Sequence, residues 1–409
     1  MRKGICYNVK IIYMGYHYRK EDEKYLLEMC KGVVSAAHYK FQNAMISGLR
    51  KYTVKMQLIT SLPVGSFPVF SSKLFIKSKL HGNDYFEIGF INLPIVKNWS
   101  RFLRSYIQLR NLLKTNDSSE KTTVIIYDLS IPFLWSVYKA RKQGFTFNVV
   151  LVVPDLPGKL GIEYTGRKKL VSFLRKMQEK NLNPYIQNVD GFILLTEAMR
   201  DALSIQNKAY MIMEGVTTIE KDTYVIQFHK KKILLYAGEL SNNVNLQDLI
   251  ETIINRSKLE IELWICGKGD LEEYIKIKAK EDSRIKYFGY LSMDKMRELE
   301  AQVDIYINPR RSVHEYTKYS FPSKNLEYLK TGKPVIAYKL AGIPNEYDSY
   351  LFYPKDESNI ALGEKIQEVC SLNCEELQRI KSEQIEFVTR YKSKEAQCSR
   401  IFDFLEGIQ

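Results

Sequence analysis

Three side chains in one short stretch could between them hold a diphosphate and the sugar attached to it. They are Ser323, Lys324 and Glu327, within TKYSFPSKNLEYLKTGKPVIA (residues 317–337). The stretch reads as loop, helix, loop, strand. Pro322 suits the first turn of a helix, where its missing N–H costs nothing. Ser320 or Phe321 then sits near the cap, Gly332 stops the helix, and Pro334 to Ala337 is a short buried strand. The unpaired N–H groups and positive dipole end of such a helix favour an anion. Ser323 adds a hydroxyl there and Lys324 a cation. Glu327 lies four residues beyond Ser323 and three beyond Lys324, so it shares nearly the same face one turn deeper. A helix start for a diphosphate, then a carboxylate for a ribose diol, is what a nucleoside diphosphate requires. An ordinary proline-led helix start has the same local letters, so the neighbouring motifs decide between the two.

Those neighbours come in a definite order. Asn308-Pro309-Arg310 precedes the YSFPSKNLE helix, and the GKPVIA strand and the Gly342-Ile343-Pro344 turn follow it. The run from Asn308 to Tyr347 resembles the donor-binding region of retaining glycosyltransferases of the GT-B fold, close to family 4. Outside that run the resemblance covers nearly the whole chain, but less specifically. It implies an α/β, GT-B architecture: two Rossmann-like domains facing each other across a cleft, the nucleotide-sugar on the second and the acceptor on the first. It further implies Glu327, Lys324 and Arg310 at the reacting centre. Arg311, Lys318, Tyr319, Ser320, Phe321, Pro322 and Ser323 then surround the donor.

Two departures bear on activity. The family commonly carries an Arg just after the glycine of the second domain's first strand, and a Lys a few residues on, both on the leaving diphosphate. Here Glu239 stands at the Arg position, and Asn242, Asn243 and Asn245 occupy the region of the Lys. The first of the family's two spaced glutamates falls at Tyr319, the second at Glu327. Lys318, Lys324, Arg310 or Arg311 could restore the lost charge. If none does, the chain is a catalytically silent partner subunit.

The elements that must position these residues can be read from the rest of the 409-residue chain, which suits two domains rather than one core. No apolar run is long enough for a membrane span, and residues 1–8 lack the apolar stretch of a signal peptide. The six cysteines are scattered, which fits neither a disulfide framework nor a zinc site and suits a reducing cytoplasm. The net charge of +14 is uneven: the first 215 residues carry 32 Lys and Arg against 16 Asp and Glu. An anionic membrane, a lipid-linked diphosphate or a nucleic acid could answer that excess, as could solvent alone. No recognised nucleic-acid module supports a nucleic-acid binder.

In residues 1–215 the strands expected are Asn8–Met14, Val54–Ile59, Thr123–Tyr127, Phe147–Val153, Gly191–Leu195 and Ala209–Met213. Ser35 can cap a helix in which His38, Lys40 and Gln42 occupy the first turns, facing the ligand crevice of a doubly wound sheet. Asp128 and Asp155 stand just past strand ends, as acceptor contacts or as loop caps. The resemblance places the acceptor, a glycan or lipid-linked sugar, among these five residues. A helix over Lys97–Leu113 is expected to bury Trp99, Phe102, Leu103, Tyr106, Ile107 and Leu112. Within 166–180, Leu170, Phe173, Leu174 and Met177 form an apolar side amid Arg and Lys, which fits an interfacial helix on anionic lipid or a surface helix packed on its own sheet.

Residues 216–230 read as a link. Strand–helix alternation then restarts over 231–388, with strands at Ile233–Tyr236, Ile261–Cys266, Ile285–Phe288, Val303–Ile307 and Val335–Tyr338. Their ends offer Gly238, Glu239, Gly267, Gly289 and Tyr290 as donor contacts. Gly267-Lys268-Gly269 lacks the third glycine of a dinucleotide fingerprint. A last amphipathic helix spans Phe387–Leu405, and the resemblance implies that residues 389–409 cross back to the first domain. The expectation is a cytoplasmic enzyme, peripheral to a membrane if residues 166–180 bind lipid. It would move a sugar with retention, without a metal or other cofactor, in surface polysaccharide or glycoconjugate synthesis.

Overall fold

The computed structural model describes residues 9–31, 36–53, 55–115, 121–156, 182–219, 231–256, 260–312 and 315–408. The basic segment 166–180, the capping Ser35 and most of the 216–230 link lie outside the described residues. Two compact units emerge: Met1–Val216 together with Lys394–Gln409, and Thr217–Ser393.

The first unit is built on β-branched runs such as VKIIYM, TTVIIY and NVVLVV, whose residues are buried almost without alternation. Such runs belong in parallel strands covered on both faces. Its strands are β1 (Val9–Gly15), β2 (Met56–Thr60), β3 (Phe75–Ile76), β4 (Lys79–His81), β5 (Tyr85–Glu87), β6 (Phe90–Ile91), β7 (Lys121–Tyr127), β8 (Asn148–Val153), β9 (Gly191–Leu194) and β10 (Ala209–Ile212). Eight of them form one sheet in the order β10-β9-β8-β7-β1-β2-β5-β4, while β3 and β6 pair separately. Only the edge pair β4–β5 of that sheet is antiparallel. The chain builds outward from β1 in one direction and from β7 in the other, so the order reverses between β1 and β7.

Two expectations need correction. The helix Val96–Lys114 buries Arg101, Ser105, Leu109, Leu112 and Leu113. Trp99, Leu103 and Ile107, expected inside, are each more than half exposed. The helix carries two faces at helical spacing, and the one that packs is the one bearing a hydrogen-bonding stripe. The Ser105 hydroxyl meets that of Ser136 at 2.6 Å and reaches the Arg101 carbonyl at 2.8 Å. Nor is Phe387–Leu405 one helix. A helix at Cys374–Phe387, opened by a capping box of Asn373 and Glu376, runs into a π-helical turn at Val388–Lys392. Ser393 is extended, its hydroxyl donating to the Thr389 carbonyl at 2.8 Å, and a new helix spans Lys394–Gly407. That last helix places Cys398, Ile401, Phe402 and Leu405 in the core of the first unit, beside Met45 and Leu49.

The second unit carries β11 (Lys232–Glu239), β12 (Ile261–Lys268), β13 (Ile285–Gly289), β14 (Ile305–Asn308) and β15 (Val335–Ala337), all parallel, in the order β13-β12-β11-β14-β15. Here the order reverses between β11 and β14. Lys333, buried in the turn before β15, donates to the carbonyls of Glu300 (2.7 Å), Ala301 (3.3 Å) and Val303 (2.6 Å). It thereby closes the end of the helix Met293–Gln302, whose last carbonyls lack partners within the helix. Among the described residues no helix is long and apolar enough to cross a membrane.

Candidate functional site

Open α/β sheets bind ligands outside the carboxyl ends of their strands where the strand order reverses. In the second unit that point lies past β11 and β14. The helix Ser323–Leu329 is pinned there by one face. Buried Asn325 accepts from the Asn308 side chain at 2.7 Å. The Tyr328 hydroxyl accepts from the Ala237 N–H at 3.1 Å, and the Tyr328 ring stacks on Tyr306 with centroids 4.3 Å apart. With Asn325, Leu326, Tyr328 and Leu329 inside, helical geometry turns the other face outward: Ser323 is exposed, Lys324 and Glu327 half-buried.

Lys324 lies along the end of β11. Its ammonium donates to the Ala237 carbonyl and stands 5.8 Å from the Tyr236 ring centroid. Its stem passes so close to Gly238 that a Cβ at that position would collide with it. Glu327 bonds Lys330 at 3.1 Å and accepts from the Thr217 hydroxyl at 3.4 Å. Arg310, past the end of β14, donates to Ser320 at 3.0 Å with its guanidinium 5.1 Å from the Tyr316 ring. One cation at the end of β11 and one past the end of β14 thus occupy the sheet's reversal point.

Other residues proposed around the donor are engaged differently. The helix begins at Ser323 with Pro322 as its cap rather than within its first turn. It also ends at Leu329, three residues before Gly332, which was expected to stop it. Phe321 is a core residue, its ring 5.2 Å from that of Tyr347, so only its main chain could meet a ligand. Arg311 is held by Asp248 and Asn359, each at 2.6 Å. Lys318 pairs with Glu315 at 2.6 Å and lies 5.0 Å from the Tyr319 ring. Glu239 is exposed at the end of β11. Gly267 faces the Gly238 carbonyl across the β11–β12 ladder. Gly289 makes a left-handed turn, and Tyr290 after it is 72% exposed with the Lys268 ammonium 5.4 Å from its ring.

In the first unit a cavity of about 400 Å³ opens at the corresponding place, past the ends of β1, β2 and β7. Tyr16 and Tyr18 after β1, Val64 and Gly65 after β2, and Asp128 after β7 line it, as do His38, Tyr39 and Gln42 of the helix Ala36–Leu49. Asp128 adopts a left-handed conformation (φ 73°) that a short polar side chain tolerates, and its carboxylate accepts from the Leu129 N–H at 2.6 Å. Burial pushes its carboxyl upward. Gln42 is buried and fully bonded, accepting from the Tyr13 hydroxyl (2.8 Å) and donating to the carbonyls of Tyr16 (3.0 Å) and His38 (3.3 Å). It therefore shapes the loop after β1. Lys40 is exposed and does not line the cavity. Asp155 reaches His38 at 2.7 Å.

The Asp155 carboxylate raises the His38 pKa. A raised histidine stabilises the fold fully below its unfolded value, near 6.5, and that contribution fades as pH climbs through the folded value. Asp155→Asn should therefore lower the His38 midpoint in an NMR titration. Because both side chains are about a third exposed, the loss of stability at acid pH should stay below about 1 kcal/mol.

Sequence reasoning missed Arg101, which also lines the cavity. A cation on an amphipathic helix ordinarily points to water, so nothing in its spacing marked it. Elsewhere in this unit, Asp22, His81 and Glu87 bring three potential metal-ligand atoms within 4.8 Å of one another. Both Asp22 oxygens, however, already meet cations, from Arg19 (2.9 Å) and Lys79 (3.3 Å).

The architecture is similar to that of several solved structures. A sucrose-phosphate synthase from Thermosynechococcus elongatus matches with a TM-score of 0.63 at 13% identity, covering 97% of this chain and 98% of that one. The catalytic domain of starch synthase IV from Arabidopsis thaliana, bound to ADP and acarbose, matches with 0.60 at 9% identity, covering 97% and 98%. TarM from S. aureus, in a complex that includes UDP, matches with 0.53 at 14% identity, covering 78% and 60%. At such identities the likeness establishes the fold alone, a GT-B pair of Rossmann-like units. No curated protein sequence matches significantly. Within the chain, residues 231–371, which hold β11 to β15 and the Lys324 site, match the family described as Glycosyl transferases group 1.

Proposed function

We propose that the chain is a glycosyltransferase that takes a sugar from a nucleoside-diphosphate sugar held on the second unit and passes it to a glycan or lipid-linked acceptor held on the first. The observation that carries this reading is the position of Lys324 against the end of β11, on the same outward helix face as Ser323 and Glu327. Transfer requires stabilising the negative charge that grows on the leaving diphosphate. A preorganised ammonium, a guanidinium and the Ser323 hydroxyl can do this without a metal. The family match over 231–371 and the nucleotides in the starch synthase and TarM structures agree with that assignment. Retention of configuration, surface polysaccharide or glycoconjugate as the product, and a cytoplasmic, membrane-peripheral location follow from the sequence resemblance and belong to the same proposal.

A second reading, a silent glycosyltransferase-like subunit, is favoured by two observations. Glu239 is exposed where related enzymes carry a cation, and Arg311 is taken up by Asp248 and Asn359. Thermal unfolding in the presence of UDP, GDP, ADP and dTDP separates the two readings. A nucleotide at one hundred times its Kd adds about 2.7 kcal/mol to a protein that binds it, so the transferase reading expects one of the four to raise Tm by several degrees. Unchanged Tm with all four would favour the silent subunit.

A further inference from the structure

Arg101 is 4% exposed. One arm of its guanidinium donates to the Leu62 carbonyl at 2.7 Å, and its centre lies 4.0 Å from the Phe90 ring and 4.9 Å from the Tyr16 ring. Its Nε has no hydrogen-bond partner. Among the described residues no carboxylate pairs with it, and Tyr16 is the side chain that interacts with its charge most. Beside it, the Lys97 ammonium donates to the Val64 carbonyl, and burial together with the Arg101 charge lowers its pKa to about 7. Two cations therefore share one shell with carbonyls and ring faces. A buried charge without a counter-ion is costly, and proteins rarely keep one unless a ligand completes it.

The rest of the cavity says what that ligand looks like. Tyr16, Tyr18 and Tyr39 line it, and Asp128 adds a carboxyl able to accept from sugar hydroxyl groups. The Tyr18 and Tyr39 rings stack on each other with centroids 4.3 Å apart and His17 stacks on Tyr39 at 5.6 Å, so they form a packed aromatic block beside the cavity. The volume of about 400 Å³ suits one or two sugar rings.

We infer that this cavity seats the acceptor sugar, and that the acceptor carries an oxyanion, phosphate or carboxylate, which pairs with Arg101. The word acceptor rests on the transferase reading above; the binding of an anionic sugar does not. A guanidinium gives two parallel donors to either oxyanion, and Arg101 lines this cavity. The tyrosines and Asp128 that line the cavity then surround the ring, so selectivity falls on sugars bearing one negative group.

The test is isothermal titration of the full-length chain, without nucleotide, against three sets of probes. These are the 1- and 6-phosphates of glucose, galactose and mannose, the corresponding hexuronates, and the neutral hexoses. The expected result is that at least one anionic sugar binds at least ten-fold more tightly than its neutral parent. A phosphate ester in that place identifies a phosphorylated acceptor, and a hexuronate an acidic sugar. Arg101→Met should abolish the preference and Arg101→Lys should restore part of it. Because the preference is read in the unaltered protein, a variant that fails to fold does not rescue the inference. Equal binding of anionic and neutral sugars, or no binding by any probe, overturns it. If that happens while a nucleotide still raises Tm, the transferase reading stands and only the anionic acceptor falls.

Discussion

Lys324→Met is expected to lower the transfer rate by about two to three orders of magnitude, the usual cost of deleting one preorganised donor to a developing anion. Methionine keeps a stem that can lie over Tyr236 and along Gly238, so packing should survive. What goes is the ammonium and its bond to the Ala237 carbonyl, worth no more than about 3 kcal/mol of stability. Glu327→Ala is the companion change, expected to abolish transfer through loss of the carboxylate one turn further along the same face. Steady-state kcat and KM with the donor that raises Tm, measured beside urea unfolding of each variant, separate a lost catalytic group from a lost fold. If Glu327→Ala keeps near-normal turnover, the site is wrongly assigned.

Gly267→Ala should be among the most destabilising single changes available, at about 3–5 kcal/mol. Gly267 has φ 143°, a region open essentially to glycine. A Cβ there would fall on the carbonyl oxygen of Gly238, which is backbone and cannot rotate away. The two residues face each other in the β11–β12 ladder, so relief would have to part the central strands exactly where Lys324 docks. Gly289→Ala serves as the control. It has positive φ (68°) but nothing within 4 Å of its Cβ position, so only the left-handed cost of about 1–2 kcal/mol applies. Denaturant midpoints for both variants check the difference, and equal midpoints would contradict the account.

What the sequence made legible was what local chemistry determines. The β-branched runs of the central strands could be read because parallel strands covered on both faces need nothing else. The five parallel strands of the second unit were legible as well, since strand and helix patterns alternate cleanly over 231–388. The outward grouping of Ser323, Lys324 and Glu327 also follows from spacing alone. Tertiary choices were not legible. The helix Val96–Lys114 has two plausible inner faces, and the one chosen depends on Ser136, 31 residues beyond its partner Ser105. Arg101 went unnoticed for the same reason. The short strands β3 to β6 have too few residues to show alternation. The break at Ser393 rests on an extended backbone that no helix-breaking residue announces. In the site, the sequence offered Arg311 and Lys318 as free cations, but each finds an acidic neighbour once the chain is folded.

The central claim is that the amino end of the helix Ser323–Leu329, with Lys324 and Arg310, holds the diphosphate of a donor. A crystal structure with whichever nucleoside diphosphate raises Tm tests it most directly. The account predicts phosphate oxygens within hydrogen-bond distance of the Ser323 amide and the Lys324 ammonium, with the ribose hydroxyls on Glu327. A nucleotide bound elsewhere, with Lys324 still on the Ala237 carbonyl and no phosphate beside it, would contradict it.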